Sequence, residues 1–287
     1  MRALIAGSGG QLGRALQASA PAGVTVLAPP EAEFDITDPD RVAALVKAAQ
    51  PTLVINAAAY TAVDKAESEP HLAQRINVNA VGLLASEARH AGAGFVQVST
   101  DFVFDGTAHR PYPPEATPNP LSVYGRTKWE GEQAAIDLHG NPLIVRTAWV
   151  YAAEGSNFVH TMLRLMRERP ELSVVADQIG TPTHAASLAR ALWSLAGQGA
   201  TGLHHWTDAG VASWYDFAVA IGEEAVTLGL LPALIPVKPI RTEDYPTPAR
   251  RPAFGVLDKT ATWAAIGTAR PWRSELRDCL KEIADGR

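Results

Sequence analysis

Seven residues near the start of the chain, Gly7-Ser8-Gly9-Gly10-Gln11-Leu12-Gly13, restrict the fold more than any other segment. They follow a short apolar run, Ala3–Ala6, and open a helical pattern over Leu12–Ser19. Gly7, Gly10 and Gly13 give the spacing Gly-x-x-Gly-x-x-Gly, and Leu12 excludes Gly-x-Gly-x-x-Gly. Such a turn allows a tight reversal and a close backbone approach to a pyrophosphate, with helix-start N–H groups that favour an anion. A glycine-rich turn without a ligand is the plainer alternative, and the strand-turn-helix context weighs against it.

The first half of the chain keeps the same alternation. Apolar runs at Ala3–Ala6, Val24–Ala28, Leu53–Asn56, Phe95–Ser99 and Leu143–Arg146 suit strands buried on both faces. Helical patterns at Pro39–Ala49, Pro70–Ala91 and Pro120–Asp137 lie between them. Asp38-Pro39 and Asn119-Pro120 each set a capping side chain before a proline, which predicts helix starts at both. The pattern predicts an α/β fold, a doubly wound parallel sheet of Rossmann type. After about Val150 it loosens: Pro170, Asp177–Thr183 and the proline-rich 232–252 stretch read as loops. Ala185–Leu195 and Trp214–Leu228 read as helices, and Gly202–Thr207 as a strand. The expected division is a dinucleotide-binding domain of residues 1–150 plus roughly 185–222. A smaller interleaved substrate-binding lobe takes roughly 151–184 and 223–287.

With 25 Lys+Arg against 30 Asp+Glu and no basic run, electrostatic capture of nucleic acid is not expected. An anionic small substrate would need a local group of arginines instead. Cys279 is the only cysteine, which rules out an internal disulfide or a cysteine-based metal cage. No stretch reaches membrane-spanning length, so a cytoplasmic protein with no membrane partner is expected.

Chemistry concentrates in Tyr124-Gly125-Arg126-Thr127-Lys128. Four residues apart on a helix, Tyr124 and Lys128 share one face. The ammonium is expected to bias the phenol, because bringing a tyrosine from about 10 to ~7 takes about 4 kcal/mol. Strand Phe95–Ser99 runs into Thr100-Asp101, and ligands in such sheets lie beyond the carboxyl ends of strands. Thr100 should therefore face the same cleft as Gly10. A hydroxyl, a phenol and an ammonium around one site resemble the extended branch of the short-chain dehydrogenase/reductase superfamily.

Finer motifs narrow the resemblance. Gly10-Gln11-Leu12-Gly13, Asn56-Ala57-Ala58-Ala59-Tyr60-Thr61-Ala62-Val63-Asp64 and Ser99-Thr100-Asp101-Phe102-Val103-Phe104-Asp105-Gly106 are similar to the dTDP-4-dehydrorhamnose reductase family. So are Arg146-Thr147-Ala148-Trp149-Val150-Tyr151, Asn157-Phe158, Asp177–Thr183 and Ala249-Arg250-Arg251-Pro252. The resemblance implies NADPH- or NADH-dependent reduction of the C4 ketone of a dTDP-linked 6-deoxyhexose, giving dTDP-L-rhamnose. It implies that Tyr124 protonates the ketone oxygen, Lys128 holds the nicotinamide ribose and lowers the tyrosine pKa, and Thr100 hydrogen-bonds the ketone. Gly7, Gly10, Gln11 and Leu12 would line the pyrophosphate, and Asp35 and Ile36 the adenine. Ala57, Ala58, Ala59, Tyr60 and Thr61 would line the middle of the cofactor. Val63, Asp101, Phe102, Trp149 and Arg250 would face the sugar nucleotide. A homodimer is compatible with this reading.

The chain departs from the family in places. Phe102 stands where tyrosine is usual, and Ala253-Phe254-Gly255 follows Pro252 where a polar pair is usual. Ala15 stands where some members carry a glutamate linked to magnesium, so no magnesium site carries over. The second strand ends in Ala28-Pro29-Pro30, with neither the acid that reads a ribose hydroxyl nor the arginine that reads a 2′-phosphate. Coenzyme preference therefore stays open, and Arg14 reads as a solvated helix residue. Arg241, Arg250 and Arg251 fit a solvated loop or a diphosphate partner equally well. His204 and His205 should point to opposite faces of a strand, in structural roles. An epimerase or 4,6-dehydratase is the other enzyme reading, but dehydratases of this branch pair Asp with Glu where this chain has Asp101-Phe102. A non-catalytic dinucleotide-sensing subunit would not need Thr100, Tyr124 and Lys128 together.

Overall fold

The apolar runs form strands because both of their faces are covered. In the computed structural model, which describes residues 1–286, six strands make one sheet. They are β1 (Arg2–Ala6), β2 (Thr25–Leu27), β3 (Leu53–Asn56), β4 (Gly94–Thr100), β5 (Leu143–Thr147) and β6 (Gly202–His205). Their spatial order is β6-β5-β4-β3-β1-β2, and every pairing is parallel. The order turns back at β1, so the crevice beyond the carboxyl ends of β1 and β3 is where a ligand belongs.

The helices that matter for the site are α1 (Gln11–Ala18), α2 (Pro39–Ala49), α3 (Ala80–His90), α4 (Val123–His139), α5 (Phe158–Glu168), α6 (Ala185–Gly197), α7 (Trp214–Thr227) and α8 (Trp272–Asp285). Alternate strand residues serve opposite faces. Ile5, Ile55, Val96 and Val145 pack with Leu16 of α1 and Leu188 and Leu192 of α6. Leu4, Val54 and Phe95 pack with Val42 and Val46 of α2, Leu84 of α3 and Ala135 of α4. A separate core joins α5, α7 and α8 through Leu163, Phe217, Ile221 and Leu276. Cys279 is buried in that core, and burial pushes its thiol well up.

Three local expectations change. Asp38 does cap α2, accepting from Asp40 N and Arg41 N. Asn119 caps nothing: its Nδ2 donates to Asp105 Oδ2 at 2.9 Å, and α4 begins at Val123 under a cap from Ser122 Oγ to Gly125 N. The uniform helix expected over residues 70–91 holds a π turn at Arg75–Asn79. The proline-rich stretch contains a strand, Val237–Ile240, parallel to Leu172–Val175. Helix α7, which the 185–222 boundary gave largely to the sheet domain, packs into the second core.

The C-terminal segment returns between the two halves. Ile179 N donates to Ala253 O and Gly255 N to Ile179 O, while Tyr112 N donates to Val256 O. This threading brings residues 251–255 to the strand ends.

Candidate active site

Glycine is needed at the first turn for space. At Gly7, with φ +75°, a Cβ would sit 2.6 Å from Ala58 N; at Gly13 it would sit 2.1 Å from Gly7 O. Backbone fills both places, so neither neighbour can yield. Gly10 N closes the turn on Gly7 O at 3.1 Å, and α1 starts at Gln11 with no side chain over its first N–H groups. A helix start left open in this way fits an anionic pyrophosphate. The loop after β3 lies beside it. Asn56 Oδ1 accepts from Ala58 N, and Asn77 clamps Tyr60 by accepting from its N at 2.8 Å and donating to its O at 3.1 Å. Ala57, Ala58, Ala59 and Tyr60 line this shelf half-buried, and Thr61 is exposed. Leu12 and Ile36 are buried, while exposed Asp35 accepts from Thr37 N and Oγ1, bonds that hold its carboxyl below the usual range.

Across the crevice, α4 is pulled onto the end of β4. A Cβ on Gly125 would lie 2.2 Å from Phe102 O, so only glycine lets the helix come this close. The approach sets half-buried Tyr124 beside Thr100 and edge-on to Phe102, with ring centroids 5.5 Å apart. Burial pushes the Tyr124 phenol up to about 12; the Thr100 hydroxyl opposes this and the Asp101 carboxyl adds to it. The expected lowering by Lys128 is absent. Lys128 is buried and its Nζ donates to Val98 O at 2.7 Å, so its charge is spent on a strand carbonyl instead of the phenol. Burial pulls Lys128 down to about 8 against the pull of Glu132, whose carboxylate is forked onto Arg146 at 2.6 and 2.8 Å. Thr100 Oγ1 donates to Asp101 Oδ1 at 3.0 Å and accepts from Phe102 N. Asp101 is buried, which pushes its carboxyl up to about 7.

A cavity of about 30 Å³ opens beyond this group, lined by Asp101, Phe102, Trp149, Gln178, Trp214 and Arg251, with Ile179, Pro252 and Gly255. Trp149 holds a left-handed backbone, φ +49°, with its ring stacked 3.6 Å from that of Trp214. The indole also lies against Gly180, where a Cβ would come within 2.7 Å of it. Arg251 is fixed by Asp64 at 2.8 and 3.1 Å. A larger cavity of about 220 Å³, between Met166, Tyr215, Gly222 and Leu234, lies in the second lobe and shares none of the strand-end groups.

An open helix start, a phenol and a buried lysine thus lie together at the strand ends. Residues 1–285 match the family described as RmlD substrate binding domain. The chain belongs to that family. It is 42% identical over 286 residues to the dTDP-4-dehydrorhamnose reductase of Aggregatibacter actinomycetemcomitans, covering 96% of this chain and 97% of the relative. The crystal structure of a dTDP-4-dehydrorhamnose reductase from Clostridium acetobutylicum superposes with a TM-score of 0.91 at 40% identity, covering 98% and 99% of the two chains. The Bacillus anthracis reductase, solved in complex with NADP, gives a TM-score of 0.91 at 35% identity over 98% and 99%.

Within this RmlD-type fold the residues expected at the site fall into two groups. Thr100, Tyr124 and Lys128 meet at one strand end, and Asp101, Phe102 and Trp149 line the adjoining cavity. Arg250 does not line that cavity: it is exposed, and Arg251 takes the inward place because Asp64 draws it there. Val63 does not line it either; the next residue, Asp64, supplies the clasp. Arg14 is exposed, as a solvated helix residue should be, and pairs with the likewise exposed Glu154. His205 is buried and pushed down to about 3, while His204 contacts Thr201 O, so the two share nothing. Asn77 and Trp214 were not anticipated, and Gln178 stood only within the Asp177–Thr183 motif without a role of its own. Asn77 had no charge or motif to mark it, and Trp214 looked like an ordinary helix start.

Proposed function

We propose that the protein reduces the C4 ketone of a dTDP-linked 6-deoxyhexose, converting dTDP-4-dehydro-L-rhamnose to dTDP-L-rhamnose with NAD(P)H. The observation that carries the reading is the half-buried Tyr124 set beside Thr100 and edge-on to Phe102, which lines the Trp149 cavity. A bound nicotinamide supplies the hydride. The protein's own groups then do three things. The glycine turn and the start of α1 hold the pyrophosphate. Lys128 holds the nicotinamide ribose, its ammonium already anchored to Val98 O. Tyr124 donates its proton to the ketone oxygen as negative charge develops there, and a phenol held near 12 arrives protonated across the neutral range. Thr100 steadies the same oxygen. Asp101, Phe102, Trp149 and Arg251 face the sugar nucleotide, and the Arg251 fork, held by Asp64, turns to the diphosphate when that clasp opens.

Among the described residues no cluster of three or more His, Cys, Asp or Glu side chains is placed to hold a metal, and this reading uses none. No helix among them is long and apolar enough to cross a membrane. Cytoplasmic placement and a homodimeric assembly belong to the same reading, and the mass of the protein in solution checks the second. The function is tested by presenting dTDP-, UDP- and GDP-linked 4-keto sugars with NADPH and NADH in turn. Cofactor oxidation with the dTDP-6-deoxyhexose is the expected result. Tight cofactor binding with no oxidation in any pairing would point to a sensing role instead.

A further inference from the structure

The segment that leaves the sheet for the second lobe lies against the glycine turn. A Cβ on Gly155 would come 3.2 Å from Gln11 Cγ, and Glu154 pairs with Arg14. Asn157 is the hub of this contact. Its Nδ2 donates to Ala152 O and to Gln11 Oε1, both at 2.8 Å, and its Oδ1 accepts from His160 N as the cap of α5.

These bonds dictate how both amides point. A backbone N–H can only donate, so Asn157 must turn its oxygen to His160. Its NH2 end then faces Ala152 O, which can only accept, and Gln11. Gln11 can meet an NH2 group only with its own oxygen. The Nε2 of Gln11 is thereby the end left over, a two-hydrogen donor on the first residue of α1. An unrestrained glutamine could present its oxygen there as readily, and an oxygen repels phosphate.

We propose that Asn157 is a positioning residue for cofactor binding, holding the Gln11 carboxamide with its donor end toward the pyrophosphate. The proposal rests on the dinucleotide reading of the glycine turn. It accounts for asparagine at this cap, where serine or aspartate would cap α5 as well. Among the usual capping side chains only asparagine offers an acceptor to His160 together with two donors, for Ala152 O and Gln11. The second lobe therefore helps to build the cofactor site.

The test uses Asn157→Asp, which keeps the cap but replaces the donor with an acceptor, so that Gln11 must turn its oxygen outward. The dissociation constant of NADPH should rise about tenfold, the size of one charge-assisted hydrogen bond, beside a modest fall in melting temperature because the carboxylate no longer donates to Ala152 O. Asn157→Ser keeps the cap and merely releases Gln11, so a smaller rise of about threefold is expected. In a Gln11→Ala background, Asn157→Asp should change the constant by less than about twofold. An equal rise in both backgrounds would mean that the new carboxylate acts by charge alone, and would overturn the proposal. So would a fall in melting temperature with unchanged NADPH affinity, which is the mark of a helix cap and nothing more. A wild-type protein that binds no NADPH would remove the dinucleotide reading itself, before any variant is compared.

Discussion

The sheet half of the site is held by backbone, and the lobe half by other side chains. Lys128 is tied to Val98 O, and Gly7, Gly13 and Gly125 are where main chains touch. In the lobe half, Arg251 is held by the Asp64 carboxylate, Trp149 by the Trp214 ring, and Gln178 by the Thr242 hydroxyl. Main chain cannot step aside, so the first half is built to hold one cofactor in one place. Side-chain clasps can open. The cavity of about 30 Å³ between them is far smaller than the pockets of roughly 300 Å³ or more that enclose ligands, so these are the contacts that must give way to a sugar nucleotide.

The contrast can be broken at several points. The largest effect on binding is expected from Gly13→Ala, where the new methyl would meet Gly7 O and the Ser8 backbone. NADPH affinity should fall about 100-fold and stability by about 1–3 kcal/mol. Binding of dTDP, measured by calorimetry on the same sample, should change by less than about threefold. A parallel loss of both ligands would mean that the halves are not separately held. Arg251→Ala should do the reverse, raising the KM for the sugar nucleotide about tenfold or more while NADPH affinity stays put.

The next two tests are gentler. Burial holds Lys128 near 8, so its ammonium is present below that pH and is lost above it, while Tyr124 near 12 keeps its proton throughout. The value of kcat/KM should therefore fall above pH ~8, by about tenfold per unit, with no second limb before about pH 10. A flat profile to pH 10 would show that the Lys128 charge is not used. Trp214→Ala removes one aromatic stacking partner from Trp149, an interaction of about 0.5–1.5 kcal/mol. The KM for the sugar nucleotide should rise about threefold to tenfold, with kcat at saturation nearly unchanged.

The same contrast governs what could be read from the chain alone. The glycine turn, Thr100, and the Tyr124–Lys128 pair follow from local spacing: a strand end, a turn that needs space, two residues one helical turn apart. Their backbone anchors lie within the units that the apolar pattern defines. The lobe contacts join residues far apart in sequence, Asp64 with Arg251 and Trp149 with Trp214, and no periodicity announces such a pair. Hence Arg250 was expected where Arg251 stands. Asn119 failed as a cap for the same reason, since Asp105 competes for its amide. The π turn that carries Asn77 toward Tyr60 and Thr127 is likewise invisible to a helical pattern. The effect of Lys128 on Tyr124 was misjudged because the Val98 carbonyl lies out of sight of helix spacing.

The central claim is that Tyr124 supplies the proton in a site otherwise complete without its hydroxyl. Tyr124→Phe tests it most directly, with NADPH binding and single-turnover oxidation by dTDP-4-dehydro-L-rhamnose measured on one preparation. NADPH affinity should stay within about twofold of wild type while the oxidation rate falls about 10²–10⁴-fold, the range for losing a general acid. Oxidation at the wild-type rate in that variant would contradict the account.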